Sequence, residues 1–241
     1  SKVVSVSIMP CTAKKYEADR PEMRSSGYKD IDFVLTTREL AVMIKQAGID
    51  FRTLEPSHYD SIMGTSTGAA VIFGATGGVM EAALRTAYEL VTGKPVPFNN
   101  LNITPVRGME GVKEATVKIE GTTQEWRFLE GAELKVAIAH GLVNANKVAK
   151  AVSTGKASYH FIEIMACPGG CIGGGGQPIP TNAAVRQKRM DAIYSEDMHM
   201  DIRKSHENPE IKAIYEEFLE KPNGHKSHEL LHTHYIAREA Y

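Results

Sequence analysis

The sequence has no excess of charge, because its 28 lysines and arginines nearly balance its 29 aspartates and glutamates. A nucleic-acid surface requires clustered basic residues, so this balance argues against nucleic-acid binding. The sequence also lacks an apolar run near the ~18 residues of a membrane span, and no signal peptide opens it. We therefore expect no membrane span and a cytoplasmic location, or a periplasmic one if a partner chain carries an export signal.

Cysteine is scarce too, with Cys11, Cys167 and Cys171 as the complete set. An odd number of cysteines, two of them four residues apart in a glycine-rich loop, is a poor basis for disulfide bonds. A chain of 241 residues buries enough surface to fold without such bonds. Buried structural thiols are the plain alternative, but the pattern favours metal ligation.

Alternating strand and helix patterns predict an α/β fold with a mixed twisted sheet flanked by helices. Strands are expected near residues 2–8, 31–35, 50–54, 112–119, 133–139 and 159–166. Helices are expected over residues 36–46, 78–92, 142–154, 181–200 and 208–220. Thr36 and Glu39 form a capping box for the first helix, and residues 112–128 resemble an antiparallel hairpin.

The composition changes after Pro180, where polar and charged helices and a histidine-rich tail replace the alternating pattern. We therefore expect a core over residues 1–180 and a C-terminal helical extension over residues 181–241. The chain begins at Ser1 within an apolar strand. We interpret that start as processing, a split protein or an excerpt of a longer chain.

Three loops contain the residue types with metal chemistry. They are residues 9–17, which include Cys11, residues 72–81, and residues 163–178, which include Cys167 and Cys171. The first and third follow predicted strands, where α/β sheets place their ligands. Glycine lets main-chain amides approach a large anion closely. Zinc would need a fourth ligand and usually takes closer cysteine pairs, whereas an iron–sulfur cluster needs four thiolates, of which three are present.

The loops read Met-Pro-Cys-Thr-x-Lys-Lys-x-Glu, Phe-Gly-Ala-Thr-Gly-Gly-Val-Met-Glu-Ala and Glu-x-Met-Ala-Cys-Pro-Gly-Gly-Cys-x-x-Gly-Gly-Gly-Gln-Pro. These motifs resemble those of the iron-only ([FeFe]) hydrogenases, and the tail from Asp201 is similar to that family's small-subunit segment. The resemblance covers essentially the whole chain. It implies the downstream half of an active-site domain that interconverts H₂ with protons and electrons.

The resemblance also implies a cofactor, a [4Fe–4S] cluster that shares one cysteine sulfur with a diiron unit carrying CO, cyanide and a bridging dithiolate. It assigns Cys11, Cys167 and Cys171 to the cluster, with Cys171 as the shared thiolate. Lys14 would donate a hydrogen bond to a cyanide ligand. The catalytic residues implied are thus Lys14, Met165 and Cys171, and the other pocket-lining residues implied are Met9, Pro10, Phe73 and Gly74.

One family motif, Thr-Ser-Cys-Cys-Pro-x-Trp, does not occur in this sequence. In the family it supplies the fourth cluster ligand, so we expect an upstream hydrogenase lobe, on the same chain or another, to complete the site. A ferredoxin-like carrier is expected to exchange electrons with it. By itself the chain is not expected to turn over hydrogen.

Two other functions stay open from the sequence. A regulatory relative would bind the same cofactor and sense H₂, and an iron–sulfur assembly relative would bind only a [4Fe–4S] cluster. Lys14 and Met165 favour the enzyme over these two functions. A [4Fe–4S] cluster would not need them, because only a diiron unit does.

Some titratable residues have more than one interpretation. Glu17 is either a salt-bridged surface carboxylate or a secondary proton carrier, and His140 and His160 are interpreted as core or rim residues. Four tail histidines have either a zinc-like spacing or ordinary hydrogen-bonding roles: His225, His228, His232 and His234.

Overall fold

The computed structural model describes residues 3–237. The strands in this range are β1 (Val6–Met9), β2 (Phe33–Thr36), β3 (Val112–Lys118), β4 (Glu133–His140) and β5 (Phe161–Met165). The α-helices are α1 (Ala13–Ala18), α2 (Thr37–Gln46), α3 (Gly68–Ile72), α4 (Gly78–Thr92), α5 (Leu142–Ser153), α6 (Ala183–His199), α7 (Pro209–Ile214) and α8 (His225–Leu231). Across residues 3–237, every helix is too short or too polar to cross a membrane.

The chain divides into two compact units. Within the described range, the first comprises residues 3–64, Gly175–Ile179 and residues 209–237, and the second comprises Thr65–Gly174 and Pro180–Asn208. Both units contain residues from each side of position 180. The expected division into a core over residues 1–180 and an extension over residues 181–241 therefore stays a prediction.

The first unit contains a two-stranded parallel sheet in which Met9 of β1 lies opposite Thr36 of β2. The predicted capping box starts α2: the Thr36 hydroxyl accepts from the Glu39 amide at 3.2 Å, and the Glu39 carboxylate accepts from the Thr36 amide at 2.8 Å. The Thr36 amide and the Lys15 ammonium lower the pKa of Glu39 to about 2. These local bonds define where β2 ends and α2 begins.

The second unit contains a three-stranded sheet in the order β3-β4-β5. Strand β3 is antiparallel to β4 and β5 is parallel to it, so the sheet is mixed, as predicted. Fully buried Val136 and Ile138 of β4 belong to one apolar cluster with Met80 and Leu84 of α4. Burial of each such side chain contributes roughly 1.5–3 kcal/mol. The sheet therefore packs on α4, and together they support the loops that follow the strands of this sheet.

Two predicted elements were wrong. Residues 50–54 are not a strand, because the Asp50 carboxylate accepts from the Arg52 amide and closes a 3₁₀ turn at Phe51–Thr53. Residues 112–128 are not a hairpin, because β3 pairs with β4 and the intervening Gln124–Leu129 is a 3₁₀ helix. The predicted helix over 208–220 is α7 followed by a π-helical segment, Tyr215–Leu219.

Candidate metal centre

Cys11 lies in the turn between β1 and α1, within the first unit. The Gly176 amide donates to the Pro10 carbonyl at 3.0 Å, and the Thr37 hydroxyl donates to the Gly176 carbonyl at 2.6 Å. A Cβ on Gly176 would lie 2.9 Å from both the Cys11 nitrogen and the Pro10 carbonyl carbon, which is closer than real Cβ atoms come. The Cys11 turn is therefore packed main chain against main chain, and only glycine fits at position 176.

Met9 and Lys14 line one cavity of about 210 Å³ in the first unit, together with Glu17. The Lys14 ammonium lies 2.7 Å from the Glu17 carboxylate, and the two side chains are 45% and 36% exposed. Glu17 is thus a salt-bridged carboxylate, one of its two predicted interpretations. Because an exposed pair of this kind is worth only about 0–1 kcal/mol, the pair holds the ammonium weakly. The next residue, Lys15, instead donates to the Val34 carbonyl at 2.8 Å.

Cys167 and Cys171 lie in the second unit, in the loop after β5. Cys167 is half-buried, and Cys171 is exposed at the start of a 3₁₀ turn, Cys171–Gly173. Met165, the last residue of β5, is also half-buried. The three cysteines of the chain all lie outside disulfide bonds. Their thiol chemistry is therefore not committed to cross-links.

The loop with Cys167 and Cys171 packs on the turn that precedes α4. The Thr76 amide donates to the Gly169 carbonyl at 3.0 Å, and the Ile172 amide donates to the Gly74 carbonyl at 2.9 Å. Gly170 has φ +89°, and a Cβ there would lie 2.7 Å from the Thr76 nitrogen. Predicted pocket residue Gly74 thus contributes its main chain to the loop, whereas its neighbour Phe73 is 45% exposed at the end of α3.

His140, the last residue of β4, is buried beside this loop. Its Nδ1 accepts a hydrogen bond from the Gly169 amide at 2.9 Å, so this nitrogen carries no proton and Nε2 does. Burial lowers the pKa of His140, and the nearby cations Lys113 and Arg186 lower it further. The surroundings therefore favour the neutral imidazole that the hydrogen bond requires.

Glu163 of β5 connects the strand to the start of α4. Its carboxylate accepts from the main-chain amides of Gly77 at 2.6 Å and Met80 at 2.7 Å. Burial raises the pKa of Glu163, although the two amides and Lys113 oppose the rise. The carboxylate thus satisfies amides at the N-terminus of α4 that have no partner within the helix.

Lys113 of β3 is a buried lysine whose charge acts on both Glu163 and His140. Its ammonium donates to the carbonyls of Val106 at 2.7 Å and Gly108 at 3.0 Å. Burial lowers the pKa of Lys113 to about 8, against the opposing charges of Glu163 and Glu110. The sequence predicted no role for Lys113 or Glu163. The bonds from Gly77 and Met80 to Glu163 span 86 and 83 residues, so no local pattern indicates them.

Two polar atoms at the Cys167–Cys171 loop have no hydrogen-bond partner among residues 3–237, the Thr76 hydroxyl and the Arg186 Nε. The Arg186 stem packs on the loop, with its Cδ 3.3 Å from where a Cβ of Gly169 would be. Because the sulfurs of an iron–sulfur cluster accept hydrogen bonds, unpaired donors at a loop that carries two cysteines suit such a group. The residues present therefore fit a thiolate-held iron–sulfur cluster.

Other potential ligand groups have different explanations. His228 and His232 stack with their ring centroids 4.3 Å apart, and within the described range no metal-type cluster includes a tail histidine. Glu89 and Glu207 form such a cluster with a histidine, but the Lys204 ammonium lies 2.6 Å and 2.7 Å from their carboxylates. That cluster already contains its cation.

Comparisons with known proteins divide the chain into two matched segments. Residues 1–175 match the family model described as iron only hydrogenase large subunit, C-terminal domain, and residues 183–238 match the one described as iron hydrogenase small subunit. The NADP-reducing hydrogenase subunit HndD of Solidesulfovibrio fructosivorans is 51% identical over 239 residues, which are 99% of this chain and 39% of that protein. The periplasmic [Fe] hydrogenase large subunit of Nitratidesulfovibrio vulgaris is 57% identical over 178 residues, 74% of this chain and 39% of that one.

Protein NAR1 of Arabidopsis thaliana is more distant, with 32% identity over 253 residues that cover 97% of this chain and 50% of that protein. Among solved structures, the [FeFe]-hydrogenase HydA(deltaEFG) aligns with a TM-score of 0.78 and 45% identity, over 97% of this chain and 63% of that one. A variant of HydA1 from Chlamydomonas reinhardtii gives the same values. The chain thus spans about two fifths of the first hydrogenase relatives.

Proposed function

The chain belongs to the iron-only hydrogenase family, and we propose that it forms the downstream part of a catalytic domain that interconverts H₂ with two protons and two electrons. The match of both family models along the chain supports this proposal. When bound, the [4Fe–4S]-linked diiron unit supplies the redox chemistry and the cleavage of the H–H bond. The residues of this chain bind that group, orient it and exclude water from it.

Three thiolates would hold the iron–sulfur part, those of Cys11, Cys167 and Cys171, with Cys171 shared with the diiron unit. The observation that carries this assignment is the glycine packing of both cysteine motifs. Gly176 is packed against Cys11, and it follows Cys171 by five positions in the chain. Five residues reach at most about 18 Å, whatever the arrangement of the two units, so the chain itself limits the separation of the motifs.

Lys14 would donate a hydrogen bond to a cyanide ligand of the diiron unit. Its exposed pair with Glu17 is weak, so redirecting the ammonium costs little. A hydrogen bond from a charged donor to an anionic ligand is roughly twice as strong as a neutral one. Met9 shares the Lys14 cavity and would give an apolar wall that excludes water.

The other pocket residues would act by shape. Met165 would add a second thioether wall, and Pro10 would fix the backbone before Cys11. Gly74 and Phe73 would form part of a lid, with Gly74 held to the cysteine loop through the Ile172 amide.

The partners proposed are an upstream lobe that supplies the fourth cluster cysteine, and a ferredoxin-like protein that exchanges electrons. We propose a cytoplasmic location, with export on a partner's signal as the alternative. A relative described as periplasmic shows that the family also occurs there.

The proposal is tested on the chain together with its upstream lobe, purified without oxygen. We expect bound iron and sulfide, infrared bands in the CO and cyanide stretching region, and H₂ production with a chemical reductant. Replacing Cys171 with alanine should abolish the infrared bands, whereas Ser153→Ala at the exposed end of α5 should leave them unchanged. Iron without infrared bands would instead indicate an assembly relative, and bands with negligible turnover would indicate a sensor.

A matched pair of lysine variants tests the cyanide contact. Lys14→Met should shift the cyanide bands and reduce retention of the diiron unit, because the charged donor is lost. Lys15→Met should do neither, since the Lys15 ammonium binds the Val34 carbonyl. Equal effects of the two variants would contradict the assignment of Lys14.

A further inference from the structure

Gly169 lies midway between Cys167 and Cys171, two positions from each. It has φ +82°, and Gly170 follows with φ +89°, so the main chain turns sharply between the two thiols. Both polar groups of the Gly169 main chain are bound by neighbours: its carbonyl accepts from Thr76, and its amide donates to His140. The peptide between the cysteines is therefore held from two sides.

The His140 side of this contact is itself fixed. The His140 amide donates to the Gly111 carbonyl at 3.0 Å, and its carbonyl accepts from the Asn144 side-chain amide at 2.9 Å. His140 is 7% exposed, so water can replace the imidazole as an acceptor only by entering the site. A buried amide left without an acceptor is destabilised by its lost hydration, which strongly favours the bonded loop.

We propose that His140 is a positioning residue for the metal centre: by accepting from the Gly169 amide at Nδ1, it sets the spacing of the Cys167 and Cys171 thiols. The role of those thiols as cluster ligands rests on the proposed function, but the hold of His140 on the loop does not. Metal ligands must be held close to their bound geometry before the metal arrives, and the groups that orient them affect affinity by 10–100-fold.

Three substitutions separate the acceptor from the bulk of the imidazole. His140→Leu removes the acceptor and keeps the approximate size. His140→Gln places its acceptor further out, nearer the Nε2 position. His140→Asn places an acceptor near the position of Nδ1 and should rescue the contact.

His160 provides a matched control in the same sheet. Its Nδ1 accepts from the Lys135 amide at 3.0 Å, which is the same kind of bond, but the residue is exposed at the other end of β5. His160→Leu should therefore leave the cysteine loop unchanged.

The first measurement is amide hydrogen exchange at Gly169 in the full chain without metal. His140→Leu and His140→Gln should speed exchange at Gly169 about tenfold, and His140→Asn and His160→Leu by less than about twofold. Thermal unfolding of each variant checks that the fold is retained. Unchanged exchange in both His140→Leu and His140→Gln would overturn the proposal, as would an equal effect of His160→Leu.

The second measurement is the rate at which a chelator removes iron from the reconstituted chain with its upstream lobe. The same order of variants is expected, with about tenfold faster loss in His140→Leu. If the unsubstituted protein binds no iron while exchange at Gly169 follows the expected order, the proposed function fails and the hold on the loop stands. If iron is bound and lost at one rate in all variants, the positioning role fails and the proposed function stands.

Discussion

Arg85 and Asp197 form a two-point ion pair in which two guanidinium nitrogens of Arg85 each donate to a different carboxylate oxygen of Asp197, both at 2.8 Å. Neither side chain is exposed. Although burial acts to raise it, hydrogen bonds from Arg85 and Arg203 lower the pKa of Asp197. The pair joins α4 to α6, and these helices lie in the segments matched by the large-subunit and small-subunit family models.

Asp197→Asn should destabilise the chain by about 3–5 kcal/mol, because it removes the buried carboxylate charge that Arg85 and Arg203 share and leaves Arg85 paired with Glu81 instead of two carboxylates. The free energy of unfolding in guanidinium chloride measures the loss. Asp191→Asn on the same helix is the control: that carboxylate is exposed and accepts from the Gln187 side chain, so a change within about 0.5 kcal/mol is expected. Equal losses of unfolding free energy in the two variants would show that the buried ion pair stabilises the chain no more than an exposed carboxylate does.

Glu163→Gln should cost about 1–3 kcal/mol, because an amide group offers one acceptor oxygen where the carboxylate satisfies two main-chain amides. Glu130 is a natural comparison, since its carboxylate also accepts from two main-chain amides, those of Gly121 and Thr122. It is exposed, and these bonds lower the pKa of Glu130 to about 2, whereas burial raises that of Glu163. Denaturant unfolding should show a smaller loss for Glu130→Gln, and the reverse order would contradict the role given to Glu163.

Lys113 should make stability depend on pH in the alkaline range. Burial lowers the pKa of Lys113 to about 8 in the folded state, whereas its ordinary value of 10.5 applies in the unfolded state. Between these values the unfolded state binds more protons, so raising the pH stabilises the fold, by at most about 1.4 kcal/mol per pH unit. Unfolding free energies measured from pH 7.5 to 11 should show this rise relative to Lys113→Met, and parallel profiles for the two proteins would refute it.

Local hydrogen bonds explain which elements the sequence predicted well. The capping box of Thr36 and Glu39 lies within four residues, so the start of α2 was predictable. A local bond also explains why the strand predicted over residues 50–54 is wrong. The Asp50 carboxylate accepts from an amide two residues away, and this bond closes a turn instead. Helices α1 and α3 were not predicted, because segments of six and five residues carry little apolar periodicity.

Only the loops whose residue types are typical of metal binding could be predicted as parts of the candidate site. Cysteine, glycine and lysine in fixed spacing indicated the loops, but the groups that support them come from distant positions. The bond from Gly169 to His140 spans 29 residues, and the bond from Gly77 to Glu163 spans 86. Such contacts follow from the strand order of the second unit, which periodicity does not reveal. His140 was accordingly predicted as a core or rim residue and nothing more.

The contact between the cysteine loop and the turn before α4 is made by peptide groups, with Gly170 against Thr76 and Gly74. A contact between peptide groups does not depend on side-chain rotamers, so a side-chain substitution elsewhere cannot replace it. The place of the loop on the turn is consequently set by main-chain atoms, and a Cβ at position 170 would come within 2.7 Å of one of them. Side chains elsewhere in the second unit can therefore change in size without removing the peptide contacts that seat the loop with Cys167 and Cys171.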